Sequence, residues 1–247
     1  MRNTPHPEWI IPDWPAPRQV RALITTRAGG VSSGNFAHLN LGSQVGDRPD
    51  RVVRNRAILR SCLPAEPKWI GQVHGAAVIQ AADGAEAAQA DGIVAGKAGL
   101  VCGVLTADCL PVLLCDRTGS TVGIAHAGWR GLAAGIIENV VRAMHASAGS
   151  LTAYLGPGIG RDVYEVGNEV RDKFVGLNPE AAAAFAPRHG GKFLADLYML
   201  ARQRLAAAGV GEVHGGGFCT LSESRFFSFR RDRITGRMAS LIWLEEL

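Results

Sequence analysis

The chain has 247 residues, 47% hydrophobic and 19% charged, which is enough apolar material for a substantial core and too little charge for a disordered polymer. Its formal net charge of +4 comes from Lys and Arg spread along the sequence, without the basic stripe interleaved with aromatics that marks a nucleic-acid surface. No linker composition interrupts it, so one domain over 1–247 is expected. Pro5, Pro7, Pro12, Pro15 and Pro17 leave no apolar stretch for a secretory signal near the start. The longest apolar run, 100–115, is broken by Asp108 and Pro111 and is too short to cross a bilayer. Five cysteines without regular spacing read as reduced thiols. A cytoplasmic monomer that binds neither membrane nor nucleic acid is the expectation.

In chain order, 21–26 alternates as a strand and ends in the glycine turn at Gly29, Gly30 and Gly34. Residues 49–63 read as a helix, with Asp47 near the cap, Pro49 in the first turn and Val52, Val53, Ile58, Leu59 and Leu63 facing the core. Short strands follow at 69–73, 77–80 and 93–95, then a longer buried one at 100–107. Apolar runs at 111–115 and 121–125 flank Asp116-Arg117-Thr118-Gly119-Ser120, a hairpin signal. A turn centred between Arg117 and Thr118 sets Cys109 opposite His126, with Cβ atoms about 4.5–5.5 Å apart.

After the hairpin, Gly128 to Gly131 opens a helix running to about Ser147, with Leu132, Ile136, Val140 and Met144 on one face. A strand at 151–155 leads into Gly156-Pro157-Gly158, and helices are expected at 167–175 and 194–208 around an Ala-rich segment. β-rich pieces at 212–219, 226–229 and 239–244 close the chain. The mixture of strands and helices is that of an α/β (α+β) protein.

Two of the seven histidines, His74 and His126, lie in small-residue β–loop junctions, and Cys109 stands where an apolar strand turns polar at Thr106-Ala107-Asp108. Two imidazoles and a thiolate suit zinc or copper, and three protein ligands leave a fourth position open for chemistry. The spacings match no compact zinc signature. On spacing alone, a free core cysteine and two hydrogen-bonded histidines account for the pattern as well.

The wording of these segments adds to the spacing. Thr25-Thr26-Arg27-Ala28-Gly29-Gly30-Val31-Ser32, Leu39-Asn40-Leu41-Gly42, Val45-Gly46-Asp47, Gln72-Val73-His74-Gly75 and Ala90-Asp91-Gly92 are followed by Leu105-Thr106-Ala107-Asp108-Cys109-Leu110-Pro111-Val112 and Ala125-His126-Ala127-Gly128-Trp129-Arg130-Gly131. Gly156-Pro157, Tyr164-Glu165-Val166-Gly167, Phe226-Phe227-Ser228-Phe229-Arg230-Arg231-Asp232 and Thr235-Gly236-Arg237-Met238 complete the series. In this order they strongly resemble the YfiH, or laccase-domain, family of polyphenol-oxidase-like proteins, which includes bacterial peptidoglycan-editing factors and a human macrophage protein. Val163 stands where the family often has cysteine and Phe229 where it often has tyrosine.

The resemblance implies a single-domain fold of mixed β-sheet layers flanked by helices, with metal ligands at His74, Cys109 and His126. It also implies a zinc-dependent purine nucleoside phosphorylase that deaminates adenosine, with adenosine, inosine, guanosine and methylthioadenosine as substrates and phosphate as co-substrate. Cys109, His126, Asp108 and Arg130 are then the catalytic candidates, Asp108 as acid/base or as the group that orients a histidine. Arg56, Asn40, Arg130 and Arg231 are the substrate and phosphate candidates, Arg130 helped by the amides and dipole of the helix after His126. Arg56 and its neighbours Arg51, Arg54 and Arg60 read equally well as a solvated helix face.

Three other readings stand beside this one. A single Cu2+ held by two His, Cys and a weak Met ligand would make an oxidoreductase, whereas seven histidines without a His-x-His pair are too few for a multicopper enzyme. A Cys109–His126 nucleophile and base would make a hydrolase editing peptidoglycan precursors. A metal-binding scaffold is the non-enzymatic reading. The His-x-Glu and Pro-Cys-x-x-Cys signature of zinc deaminases is absent from the sequence.

Overall fold

The computed structural model describes residues 2–82 and 88–246. The chain opens with strand β1 (Val20–Ile24) and helix α1 (Pro49–Arg60), then two short strands, β2 (Lys68–Trp69) and β3 (Val78–Gln80). Next come β4 (Gly92–Ala95), β5 (Val101–Thr106), β6 (Leu110–Asp116) and β7 (Val122–Ala127), followed by helices α2 (Trp129–Ala134) and α3 (Ile136–Ala143). The remainder carries β8 (Leu151–Leu155), β9 (Glu165–Val166), α4 (Asn168–Leu177), β10 (Phe185–Pro187), β11 (Phe193–Ala195), α5 (Leu197–Ala207), β12 (Glu212–Gly215), α6 (Phe229–Asp232) and β13 (Met238–Leu244).

The strands form a four-stranded sheet in the order β1-β13-β5-β2, a six-stranded sheet in the order β12-β8-β6-β7-β4-β3, and a small sheet β10-β11-β9. Both large sheets are mixed, since β2 runs parallel to β5, β3 to β4 and β12 to β8, while their other pairs are antiparallel.

Two facing sheet surfaces make the central core. Ile24, Cys102, Val104 and Ile242 of the four-stranded sheet pack with Ile93, Leu113, Val122, Ile124 and Tyr154 of the six-stranded one. On the outer face of the six-stranded sheet, Val94, Val112, Leu114 and Ala125 pack against Leu132, Ile136, Val140, Val170 and Leu200 of the helices. On the outer face of the four-stranded sheet, Leu23, Val101, Leu241 and Trp243 pack with Leu59 of α1. Apolar layers therefore cover both faces of both sheets, which is why β4, β6, β7 and β13 read as continuous apolar runs and are buried along their whole length.

Several sequence expectations shift. The helix expected over 128–147 is two helices, α2 and α3, because Gly135 adopts φ 90°, a left-handed conformation that ends the first and starts the second. The strand expected at 69–73 stops at Trp69. The Gln72 side chain there takes the place of backbone pairing, bonding Leu105 through both its amide and its carbonyl (2.8 Å each). Residues 226–229 are not a strand. Phe226 and Phe227 are fully buried beside Met238, worth roughly 1.5–3 kcal/mol each in apolar burial, and Ser228 caps α6 by accepting from the Arg231 amide (3.2 Å). The strand from Glu212 ends at Gly215 because Gly215, Gly216 and Gly217 all take positive φ.

The hairpin forms with a different register. Pro111 pairs with His126 and Cys115 with Val122, so Cys109 is not directly opposite His126. The cause is Asp116, whose carboxylate accepts from the amides of Thr118, Ser120 and Thr121 and moves the turn onto Gly119 at φ 69°. The displacement is one residue on each strand, so parity is kept, and Cys109 stays on the face that carries His126.

Candidate metal centre

Each ligand candidate stands at a passage between elements. His74 lies in the crossing from β2, in the four-stranded sheet, to β3, in the six-stranded one, and Cys109 lies in the crossing from β5 to β6. His126 is the penultimate residue of β7, on the six-stranded sheet. Two crossovers and a strand end thus meet at the seam of the sheets. The ligand atoms of His74, Cys109 and His126 lie within 4.8 Å of one another, and the two rings sit 4.8 Å apart, inclined at 71°. His126 is buried, Cys109 half-buried and His74 exposed, so the group opens to solvent on the His74 side.

Asp91, fully buried immediately before β4, organises the group. Its Oδ1 lies 2.8 Å from His126 Nδ1, which leaves Nε2 as the lone-pair nitrogen facing Cys109. The same carboxylate accepts the amides of Val73 (3.2 Å), His74 (3.0 Å) and Gly75 (2.6 Å), and the Asp91 carbonyl accepts the His126 amide at 2.7 Å. These bonds hold His74 at φ 60°, a conformation uncommon for a residue other than glycine. Burial opposes charge on Asp91, but His126 and the amides of Gly75 and Val73 outweigh it and keep the carboxyl below its usual range.

Burial likewise disfavours a thiolate at Cys109, yet His126 and His74 beside it hold the thiol below its ordinary value. For His126 burial works against the charged ring, and the Cys109 sulfur and the Asp91 carboxylate override it. The residues fit a transition-metal ion on this donor set. The surroundings fit as well: a Cβ at Gly128 would lie 2.8 Å from Cys109 Sγ and 3.5 Å from His74 Cδ2, so only glycine leaves the space free.

The other candidates are placed differently. Asp108, at φ 94°, touches no histidine. Its carboxylate accepts from Thr220 Oγ1 and the Arg230 amide, both at 2.6 Å, tying the segment before α6 to the Cys109 loop, so the orienting role expected of Asp108 falls to Asp91. Arg130 is exposed and stacks on Trp129 at 4.4 Å. The helix it belongs to has only six residues, which removes most of the expected dipole support for an anion.

Asn40 is fully buried and spends its amide inside the fold: Nδ2 donates to Gly42 O and Asp47, and Oδ1 accepts from the amides of Gly42 and Arg237. Arg231 uses all its donors on Thr220, Leu221, Phe226 and Asp232. Arg56 donates from Nε to Leu41 O at 3.1 Å and lies over Trp69. Of the sequence candidates, the structure brings together His74, Cys109 and His126, sets Asp108 beside them, and turns Asn40 and Arg231 inward.

Sequence reasoning passed over Asp91 as a functional residue. Its signal was an acidic residue directly before the wholly apolar strand Gly92–Ala95. Tyr164 is a second residue of this neighbourhood: it is buried, the Arg230 guanidinium lies 5.2 Å over its ring, and burial together with the Cys109 and Asp108 charges raises its phenol.

A family model described as multi-copper polyphenol oxidoreductase laccase matches residues 21–245. A purine nucleoside phosphorylase of Pseudomonas aeruginosa is 51% identical over 240 residues, covering 96% of this chain and 99% of that protein. The purine nucleoside phosphorylase YfiH of Escherichia coli K12 is 49% identical over 239 residues, with 95% and 98% covered. Among solved structures, a Neisseria meningitidis protein superposes with a TM-score of 0.93 at 51% identity, covering 96% of this chain and 99% of its own. The YfiH protein of Bacillus licheniformis gives 0.87 at 33% identity, with 92% and 93% covered. With its sheet layers, its seam of two histidines and a cysteine, and these likenesses along nearly its whole length, the chain belongs to the laccase-like YfiH family.

Proposed function

We propose that this protein is a zinc-dependent purine nucleoside phosphorylase that also deaminates adenosine, acting on adenosine, inosine, guanosine and methylthioadenosine. The observation that carries this reading is the convergence of His74, Cys109 and His126 within 4.8 Å, in a chain about half identical to proteins named purine nucleoside phosphorylase. A bound zinc ion would supply Lewis acidity and one open coordination position at this site.

The chain's own groups prepare that position. Asp91 fixes the tautomer and orientation of His126 and, through the three amides it binds, the backbone that presents His74. Gly128 keeps the ground beside Cys109 clear. Tyr164, buried beside the Arg230 guanidinium, offers a phenolic hydroxyl in the same neighbourhood. Asp108 draws Thr220 and the Arg230 amide to the rim, so these two residues border the Cys109 turn.

A second reading, a single-copper oxidoreductase, takes its support from the description of the matching family model. Among the described residues only one group of three or more His, Cys, Asp or Glu is arranged to hold a metal, and several copper ions need several such groups. Elemental analysis separates the two: one copper per chain with a thiolate-to-copper absorption band supports the oxidoreductase. The direct test incubates zinc-loaded protein with adenosine, with and without phosphate. Phosphate-dependent adenine, and inosine formed in its absence, are expected. Absence of both products from fully metallated protein removes the proposal.

A further inference from the structure

Arg237 precedes the first residue of β13, and Met238 pairs with Thr106 at the end of β5. That register sets Arg237 across from Ala107, beside the Asp108-Cys109 turn. Its backbone is fixed on both sides: the amide donates to Asn40 Oδ1 at 2.9 Å, and the carbonyl accepts the Leu41 amide at 3.2 Å. The stem lies on Gly42, where an added Cβ would meet Arg237 Cγ at 2.8 Å.

The guanidinium is half-buried, and its donors divide unevenly. Nη1 bonds the carbonyls of Thr235 and Gly236, both at 3.0 Å. Nε and Nη2 have no partner among the described residues, and no carboxylate there forms an ion pair with Arg237. The edge left open is the one that presents two parallel N–H groups, the geometry that grips an oxyanion in bidentate fashion. Of its neighbours, Arg231 is saturated, while Arg230 gives one Nη1 N–H to Glu165 O and lays its guanidinium over the Tyr164 ring. Burial lowers the Arg237 pKa, and the Cys109 and Asp108 charges push it back up. A half-buried cation with three of its five N–H groups free and no carboxylate in contact among the described residues is costly to maintain, and a bound anion removes that cost.

We infer that Arg237 is the anion-binding residue of this site, its Nε/Nη2 edge holding the phosphate oxygens beside the metal-binding group. The inference rests on the phosphorylase reading for the identity of the anion as inorganic phosphate. It gives to Arg237 the phosphate role that the sequence reading shared among Arg56, Asn40, Arg130 and Arg231. Asn40 serves it indirectly, by holding the Arg237 backbone.

The test uses zinc-loaded protein as wild type, Arg237→Gln, Arg237→Lys and the surface control Arg225→Gln. Calorimetric titration with inorganic phosphate and initial rates of inosine cleavage are measured alongside zinc content and melting temperature. Arg237→Gln is expected to weaken phosphate binding about tenfold or more, the scale of lost charge-assisted hydrogen bonds, with zinc content kept and the inosine KM within about twofold of wild type. Arg237→Lys keeps the charge without the fork and is expected to fall between the two; it decides the matter if Arg237→Gln does not fold. Wild type that binds no phosphate, or equal phosphate affinity in wild type and the Arg237 variants, overturns the inference. Phosphate bound through Arg237 without inosine cleavage leaves the subsite standing and removes the phosphorylase reading. Cleavage with an unchanged phosphate KM in the variants does the reverse.

Discussion

Asp91 concentrates more bonds on the metal site than any ligand does, since one carboxylate orients His126 and gathers the amides of Val73, His74 and Gly75. Asp91→Asn places an amide donor among donors, so zinc affinity should fall by about 10–100-fold and the melting temperature should drop with it, as read by chelator competition and thermal denaturation. An unchanged zinc affinity contradicts the orienting role. Gly128→Ala tests the space beside the sulfur: its methyl would stand 2.8 Å from Cys109 Sγ, while φ at Gly128 is −69°, ordinary for alanine. Reduced zinc occupancy with a native circular dichroism spectrum is therefore expected, and full occupancy at unaltered affinity argues against it. At this scale the sequence displays residue types without their partners. His74, Cys109 and His126 stand out by motif, whereas Asp91 before an apolar strand, Asn40 between two leucines and Arg231 in a basic run are not ranked by the pattern, and only the hydrogen bonds tell which serve the ligands and which the backbone.

Asp116 shows how one side chain sets an element. It takes the amides of Thr118, Ser120 and Thr121 and so decides where β6 turns into β7. Burial opposes its charge, but the hydrogen bonds from Thr118, Thr121 and Ser120 prevail and hold its carboxyl below the usual range. Asp116→Ala should cost about 2–3 kcal/mol at neutral pH by leaving donors unpaired. A carboxyl whose folded pKa is depressed contributes its stability above the unfolded value near ~4 and loses it as pH falls through the folded value. The difference between wild type and Asp116→Ala in urea melts should therefore be constant from neutral pH down to about 5 and shrink below about 4; a constant difference down to strong acid contradicts the assignment. The strands themselves were legible because β4 to β8 are apolar runs bounded by turn residues. Their register was not, since a side chain capturing three amides leaves no periodic trace. Gly135 hid in the same way, as one glycine in a helical pattern splits α2 from α3 only because its φ is positive.

Across the whole molecule, the metal group stands where the chain passes from one sheet to the other, so its geometry depends on how the two sheets dock. Their facing side chains, Val104 and Ile242 against Leu113 and Ile124, set that docking. Asp108 extends the link to the late segment, bonding Thr220 and the Arg230 amide at 2.6 Å each. Asp108→Ala should loosen residues 220–232 without expelling the metal, seen as faster hydrogen exchange at the Arg230 amide with zinc retained; unchanged protection there contradicts the link. The layered arrangement follows from apolar runs that need cover on both faces, but which strands share a sheet does not. β13 lies between β1 and β5, a pairing of residues more than a hundred positions apart that leaves no local pattern; the family resemblance implied sheet layers flanked by helices and not this order. Among the described residues no helix is long and apolar enough to cross a membrane.

The central claim is that two imidazoles and one thiolate of this chain hold a single ion with a coordination position open. Zinc K-edge X-ray absorption on protein with one zinc bound, compared with Cys109→Ala, tests it most directly. One sulfur at about 2.3 Å and two imidazole nitrogens at about 2.0–2.1 Å, with the sulfur shell absent from the variant, are the expected result. A spectrum without sulfur, or one identical in wild type and variant, contradicts the account.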